Sequence, residues 1–113
     1  MSLLVVIPAF NEEKSITNVI REIRTHIPNA SILVVDDGSH DATSEVAKSE
    51  SVNVVSLPFN VGVGGALRVG FLYAHRNSFS QVLQIDADGQ HKASEAKSLL
   101  DYSEGCDIVI GSR

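Results

Sequence analysis

Two carboxylates stand two residues apart in the stretch Q-I-D-A-D-G-Q-H (residues 84–91): Asp86 and Asp88, just where the apolar run at 82–85, led in by Gln81, gives out. Residues i and i+2 at a fraying strand end can aim their oxygens at one point. A hard cation such as Mg²⁺ or Mn²⁺ accepts a few such oxygens and keeps its other positions for phosphate and water. The pair therefore predicts a site that handles a diphosphate. The competing interpretation is a plain turn, since Asp88-Gly89 is a turn dipeptide and aspartates commonly cap the turn or helix after a strand.

Other polar segments have the same choice between ligand and scaffold. In Pro8-Ala9-Phe10-Asn11-Glu12 the proline removes one N–H and sends the chain off the sheet, while Asn11 and Glu12 bring polar groups to a helix start, as ligand contacts or as a cap and first-turn acid. Asp36-Asp37-Gly38-Ser39 offers paired acceptors for the N–H edge of a base or for ribose hydroxyls; as a turn, Asp37-Gly38 reverses the chain and Asp41 caps the next helix. Asn60-Val61-Gly62-Val63-Gly64-Gly65-Ala66 resembles a dinucleotide fingerprint but fails it: position 67 is leucine, and the segment follows the third strand, not the first. Its glycines, Gly64 among them, are read as permitting close approach of backbone to ligand or sheet, with Arg68 a nearby cation. Gly111-Ser112-Arg113 sets a cation after the last strand, within reach of a diphosphate or simply at a frayed terminus.

Something must hold these segments together. Short Val-, Ile- and Leu-rich runs at 3–7, 32–35, 52–57, 82–85 and 108–110 read as strands buried on both faces. Between the first two, Ile16, Val19, Ile20, Ile23 and Ile27 repeat at helical spacing, with Asn11 or Ser15 available as cap and Pro28 as stop. Weaker helical patterns cover 42–49, 65–76 and 94–102. Alternating strands and helices of this length imply right-handed crossovers and an α/β fold, a Rossmann-like open parallel sheet with helices on both faces. With the order 3-2-1-4-5, the ligand crevice lies beyond the carboxyl ends of strands one and four, where the first, second and fourth polar segments would gather.

Composition narrows the function. A chain of 113 residues without repeat or linker is expected to be one domain, residues 1–113. Its 43% hydrophobic and 20% charged content is that of a globular protein. A formal net charge of −5 argues against binding nucleic acid, so any anionic ligand must be held locally by metal, backbone N–H groups or a few cations. No apolar stretch approaches the roughly 20 residues of a transmembrane helix. The single cysteine, Cys106, cannot form an internal disulfide and is expected to be reduced and inert, which fits a cytoplasmic setting. His40, His75 and His91 lack zinc-site spacing, and His91 is read as a neighbour of the acids rather than a ligand.

Five motifs in order, V-V-I-P-A-F-N-E-E, V-D-D-G-S-x-D-x-T, N-x-G-x-G-G-A-L-R-x-G, D-A-D-G-Q-H and V-I-G-S-R, closely resemble the family 2 glycosyltransferases of GT-A fold, especially the polyprenyl-phosphate (dolichyl-phosphate) mannosyl- and glucosyltransferases. The resemblance runs from Leu3 to Arg113 and implies binding of a UDP- or GDP-linked sugar with inverting sugar transfer. By motif position it implies that Pro8, Ala9, Asn11, Glu12 and Asp37 line the base and ribose. It gives Asp86 and Asp88 the Mg²⁺ or Mn²⁺ on the diphosphate, Gln90 a third metal oxygen and Arg113 a phosphate contact. It also implies a lipid-phosphate acceptor met at the inner membrane face.

Full members of the family continue past Gly-Ser-Arg, so the chain is expected to be the nucleotide-binding part of a transferase. By itself it would transfer little sugar, and it would expose surface that favours homo-oligomers. Two rival assignments compete with this one. A phosphoacceptor receiver domain would need its acidic pair after the first strand and a lysine after the last, whereas this pair follows the second strand and Arg113 takes the lysine's place. A non-catalytic nucleotide-sugar-binding module is the other.

Overall fold

The isoleucine and valine stripe at 16, 19, 20 and 23 forms the buried side of an amphipathic helix, and the runs on either side of it pair as parallel strands. The computed structural model describes residues 2–88 and 108–110. Its elements are β1 (Leu3–Ala9), α1 (Ile16–His26), β2 (Ser31–Asp36), α2 (Thr43–Ser49), β3 (Asn53–Ser56), α3 (Val63–Arg76), β4 (Gln81–Gln84) and β5 (Ile108–Ile110). Strands β1 to β4 run in spatial order 3-2-1-4, and the three-residue β5 extends the sheet beside β4. Every pairing is parallel. The expected fold class and order hold, and the order is not the 2-1-3-4-5 of a receiver domain.

Side-chain alternation along the strands builds two cores, one on each face. Val5, Ile7, Ile32, Val34 and Leu83 pack beneath α1 and α2. Leu4, Val6, Leu33, Val35 and Val82 pack beneath α3. The buried residues of α3 are Ala66, Gly70 and Ala74, one per turn, and a Cβ at Gly70 would come within 2.6 Å of the Val6 side chain. Small residues there let α3 lie close on the sheet.

The structure amends several sequence expectations. β1 continues through Pro8 and Ala9 instead of ending at Ile7, because Ala9 still pairs with Asp36 of β2. β3 is not buried on both faces: it is an edge strand with Asn53 and Ser56 exposed. α3 starts at Val63, two residues before the expected 65. The helical pattern at 94–102, and Gln90, His91, Cys106 and Arg113, lie outside the described residues. Among the described residues, no helix is long and apolar enough to cross a membrane.

Candidate active site

Pro8 opens the crevice. Backbone groups of successive strand residues point to opposite sides: the Val6 carbonyl accepts the Ile85 N–H on the β4 side (3.1 Å), and the Ala9 carbonyl accepts the Asp37 N–H on the β2 side (2.8 Å). Position 8 therefore faces β4, and proline has no N–H to offer there. Pairing between β1 and β4 ends at the register of Val6 with Gln84. Beyond it the two chains part, at the point where the winding of the sheet reverses, which is where open α/β sheets bind ligands.

Two hollows adjoin in this crevice. One, of about 170 Å³, is lined by Pro8, Ala9, Phe10, Asp37, Asn60, Gly62 and Val63. The other, of about 140 Å³, is lined by Pro8, Phe10, Glu12, Val63 and the turn Asp86-Ala87-Asp88. Sharing Pro8, Phe10 and Val63, they form one groove with Asp37 in one half and Asp86 and Asp88 in the other. Asn11 and Gly64 line neither half. A Cβ at Gly64 would meet nothing within 4 Å, so packing does not demand glycine there. A larger hollow of about 250 Å³ sits at the other end of β2 and β3, beside Ser31 and Asn53. Its one charged side chain, Arg24, is engaged by Glu50 at 3.6 Å.

The acids after β2 serve the scaffold. Asp36 Oδ1 accepts the Ser39 N–H (2.9 Å), and Oδ2 accepts the Ser44 hydroxyl, which also meets Ser56 Oγ at 2.7 Å. Asp37 accepts two successive N–H groups, of Val61 (2.7 Å) and Gly62 (2.9 Å), one on each oxygen. Gly38 presses on the same segment: its φ is +77°, and a Cβ would fall 2.6 Å from the Phe59 carbonyl carbon. The glycine-rich loop thus gives two of its N–H groups to Asp37, leaving them no lone role as a phosphate cradle.

Around the first loop, hydrogen bonds tie three segments together. Asn11, with φ +54°, is not a helix cap; its Oδ1 accepts the His40 N–H (2.8 Å) and its own N–H goes to Ser39 Oγ (2.9 Å). The Glu12 N–H goes to Thr43 Oγ1 (2.9 Å) and the Glu13 N–H to Asp41 Oδ2 (3.3 Å). Asp41 also accepts the Thr43 N–H (3.0 Å) at the start of α2, although the N-cap position itself is taken by Ala42. Bonds from Thr43, the side chain first, hold the Asp41 carboxyl below its ordinary pKa. Ser15 occupies the N-cap position of α1 yet makes no side-chain cap bond.

Asp86 and Asp88 line one hollow; Asp86 is half-buried, with Oδ1 accepting from Gln84 Nε2 (3.2 Å), and Asp88 is exposed. Among the described residues no group of three or more His, Cys, Asp or Glu converges on a point. A pair of hard oxygen ligands suits a Mg²⁺ or Mn²⁺ ion that a diphosphate and water complete, and does not suit a closed all-protein cage.

The family model described as "Glycosyl transferase family 2" matches residues 4–113. The chain belongs to this family. Among family relatives, the undecaprenyl-phosphate mannosyltransferase of Micrococcus luteus is 34% identical over all of this chain and 49% of its own length. The polyprenol monophosphomannose synthase of Mycolicibacterium smegmatis is 36% identical over 97% of this chain and 44% of its own. The chain thus spans about half the length of these curated relatives. The glucosyl-3-phosphoglycerate synthase of Mycobacterium tuberculosis, solved with Mn²⁺, UDP and glucosyl-3-phosphoglycerate, superposes with a TM-score of 0.72 at 29% identity, covering 88% of this chain and 38% of that one.

Within this family 2 domain, the groove holds six of the residues expected from the sequence to line the nucleotide and metal sites: Pro8, Ala9, Glu12, Asp37, Asp86 and Asp88. Phe10, Asn60, Val63 and Ala87 also line it, without a role expected from the sequence. An exposed aromatic between Pro8 and Asn11 was a usable signal for the first. Val63 carries no comparable signal, since it is the distant Asp37, bonded to the Val61 and Gly62 N–H groups, that holds the start of α3 beside the groove.

Proposed function

We propose that this family 2 domain binds a nucleotide-diphosphate sugar with Mg²⁺ or Mn²⁺ and takes part in inverting transfer of the sugar to a polyprenyl phosphate. The observation that carries the reading is the single groove joining Asp37 to Asp86 and Asp88. Pro8, Ala9, Phe10 and Asp37 would border the base and ribose, with Asn11 and Glu12 ordering the loop around them. Asp86 and Asp88 would hold the metal; Gln90 and Arg113 take their roles as third oxygen and phosphate contact from motif position alone. When bound, the cation would neutralise charge that grows on the departing nucleoside diphosphate.

The acceptor chemistry suits what the groove offers. A phosphate monoester oxygen is already ionised near neutral pH, so its attack on the anomeric carbon requires no general base. The new carbon–oxygen bond forms on the face opposite the one where the bond to the diphosphate breaks, and the nucleoside diphosphate departs with the electron pair. The names of the Micrococcus and Mycolicibacterium relatives support a polyprenyl acceptor, and the Mn²⁺ and UDP in the M. tuberculosis structure support the donor and metal. The domain would meet such a lipid at the membrane surface.

Calorimetric titration with UDP- and GDP-sugars, with and without Mn²⁺, tests this on wild type and Asp88→Ala. Binding that needs Mn²⁺ and is lost in the variant is expected, and the better-bound donor names the base. Binding indifferent to both metal and Asp88 would refute the reading.

A further inference from the structure

Ser15 stands at the N-cap of α1, where a serine ordinarily accepts an N–H from the first turn, and it makes no such bond. Its hydroxyl turns instead toward Glu12 and Ala87, two residues that line the crevice. Oγ lies 2.6 Å from the Ala87 carbonyl oxygen, 2.8 Å from Glu12 Oε2 and 3.5 Å from the Glu12 carbonyl oxygen. Ala87 is the residue between the two metal-site acids, and Glu12 lines the same hollow. A hydroxyl has one proton to give, so Ala87 and Glu12 compete for it, and the shorter contact is to Ala87.

From this diverted cap we infer that Ser15 is a positioning residue for the metal site, donating to the Ala87 carbonyl and so fixing the turn that aims Asp86 and Asp88. The inference rests on the proposed metal and nucleotide-sugar reading and extends it to a residue that touches neither ligand. The mechanics are simple. The chain leaves β4 at Ile85, whose N–H makes a backbone bond to β1 through the Val6 carbonyl, and the Ser15 hydroxyl anchors the Ala87 carbonyl across 72 residues of sequence. An outer bond of this kind orders the ligands without joining them.

The test separates a cap from a tether. Ser15→Asp keeps a good N-cap acceptor but cannot donate when ionised; Ser15→Thr keeps the hydroxyl; Ser15→Ala removes both functions. Affinity for Mn²⁺ alone, followed by the electron paramagnetic resonance of the free ion, should fall about tenfold in the Ala and Asp variants and stay within about twofold of wild type in the Thr variant. The Asp88 amide, which shares a peptide unit with the Ala87 carbonyl, should shift in the NMR spectrum of metal-free Ala and Asp variants and not in Thr. An Asp variant equal to wild type in both readouts would overturn the tether, as would an Ala variant that loses thermal stability while keeping Mn²⁺ affinity and the Asp88 shift. If wild type binds no Mn²⁺, the metal reading fails, and the metal-free Asp88 shifts still decide whether Ser15 holds the turn.

Discussion

The two aspartate pairs of this chain look alike in composition and stand in opposite surroundings. Asp36 and Asp37 are 5% and 4% exposed, and all four of their carboxylate oxygens accept internal hydrogen bonds. Asp86 and Asp88 line an open hollow, with Asp88 exposed. Consecutive residues at a strand end aim in opposite directions, so Asp36 turns toward α2 through Ser44 and Asp37 toward the loop before α3. Asp86 and Asp88 stand past the end of β4, and both line one hollow. The first pair is bonded into the scaffold, and the second borders open space.

The sharpest way to break that contrast is to exchange expected consequences. Asp37→Ala strips the acceptor from the Val61 and Gly62 N–H groups, each bonded to a buried charge, and should cost about 3 to 4 kcal/mol of stability in urea unfolding. A loss below about 1 kcal/mol would mean the latch is not structural. Asp88→Ala should do the reverse: Mn²⁺-dependent nucleotide affinity falls about 100-fold, near 2.7 kcal/mol, while unfolding free energy moves by no more than about 0.5 kcal/mol. Should Asp88→Ala unfold the protein instead, the division between the pairs collapses.

Smaller perturbations sharpen it. Ser44→Ala removes one donor from Asp36 and leaves the Ser39 N–H in place, so unfolding experiments should register about 1 kcal/mol, with donor binding unchanged. The least effect belongs to Asp41, a surface carboxylate whose pKa is lowered chiefly by the Thr43 side chain. Its stabilising contribution is present above the unfolded value near 3.8 and is lost as pH falls through the lower native value. Wild type should therefore lose stability on acidification below about pH 4 slightly more steeply than Asp41→Asn. Parallel slopes for the two would show that these bonds add nothing in solution.

Much of this was legible in the residues. The β-branched runs, the stripe from Ile16 to Ile27 and the five ordered motifs were enough to anticipate the sheet order and to bring Pro8, Asp37, Asp86 and Asp88 to one crevice. What local pattern left open falls where a partner lies far off in sequence. Asn11, one of two cap candidates, bonds instead to the His40 segment, and Ser15 takes the N-cap position but turns its hydroxyl to Ala87. Each residue offers the same atoms to a local and to a distant partner, and local pattern cannot choose between them.

What the sequence determined by itself was periodicity: which runs become strands, which faces are apolar, and hence the α/β sheet with acids at its carboxyl edge. What only the tertiary structure decided was the use of those acids. Asp37 is occupied because a loop 24 residues onward brings its N–H groups to the carboxylate, and the chain parts at Asp86 because β4 pairing ends at Val6 with Gln84 and Pro8 has no N–H to extend it. Strand-forming tendency acts between neighbours along the chain, whereas the supply of donors to a carboxylate depends on which distant backbone the folded sheet carries past it.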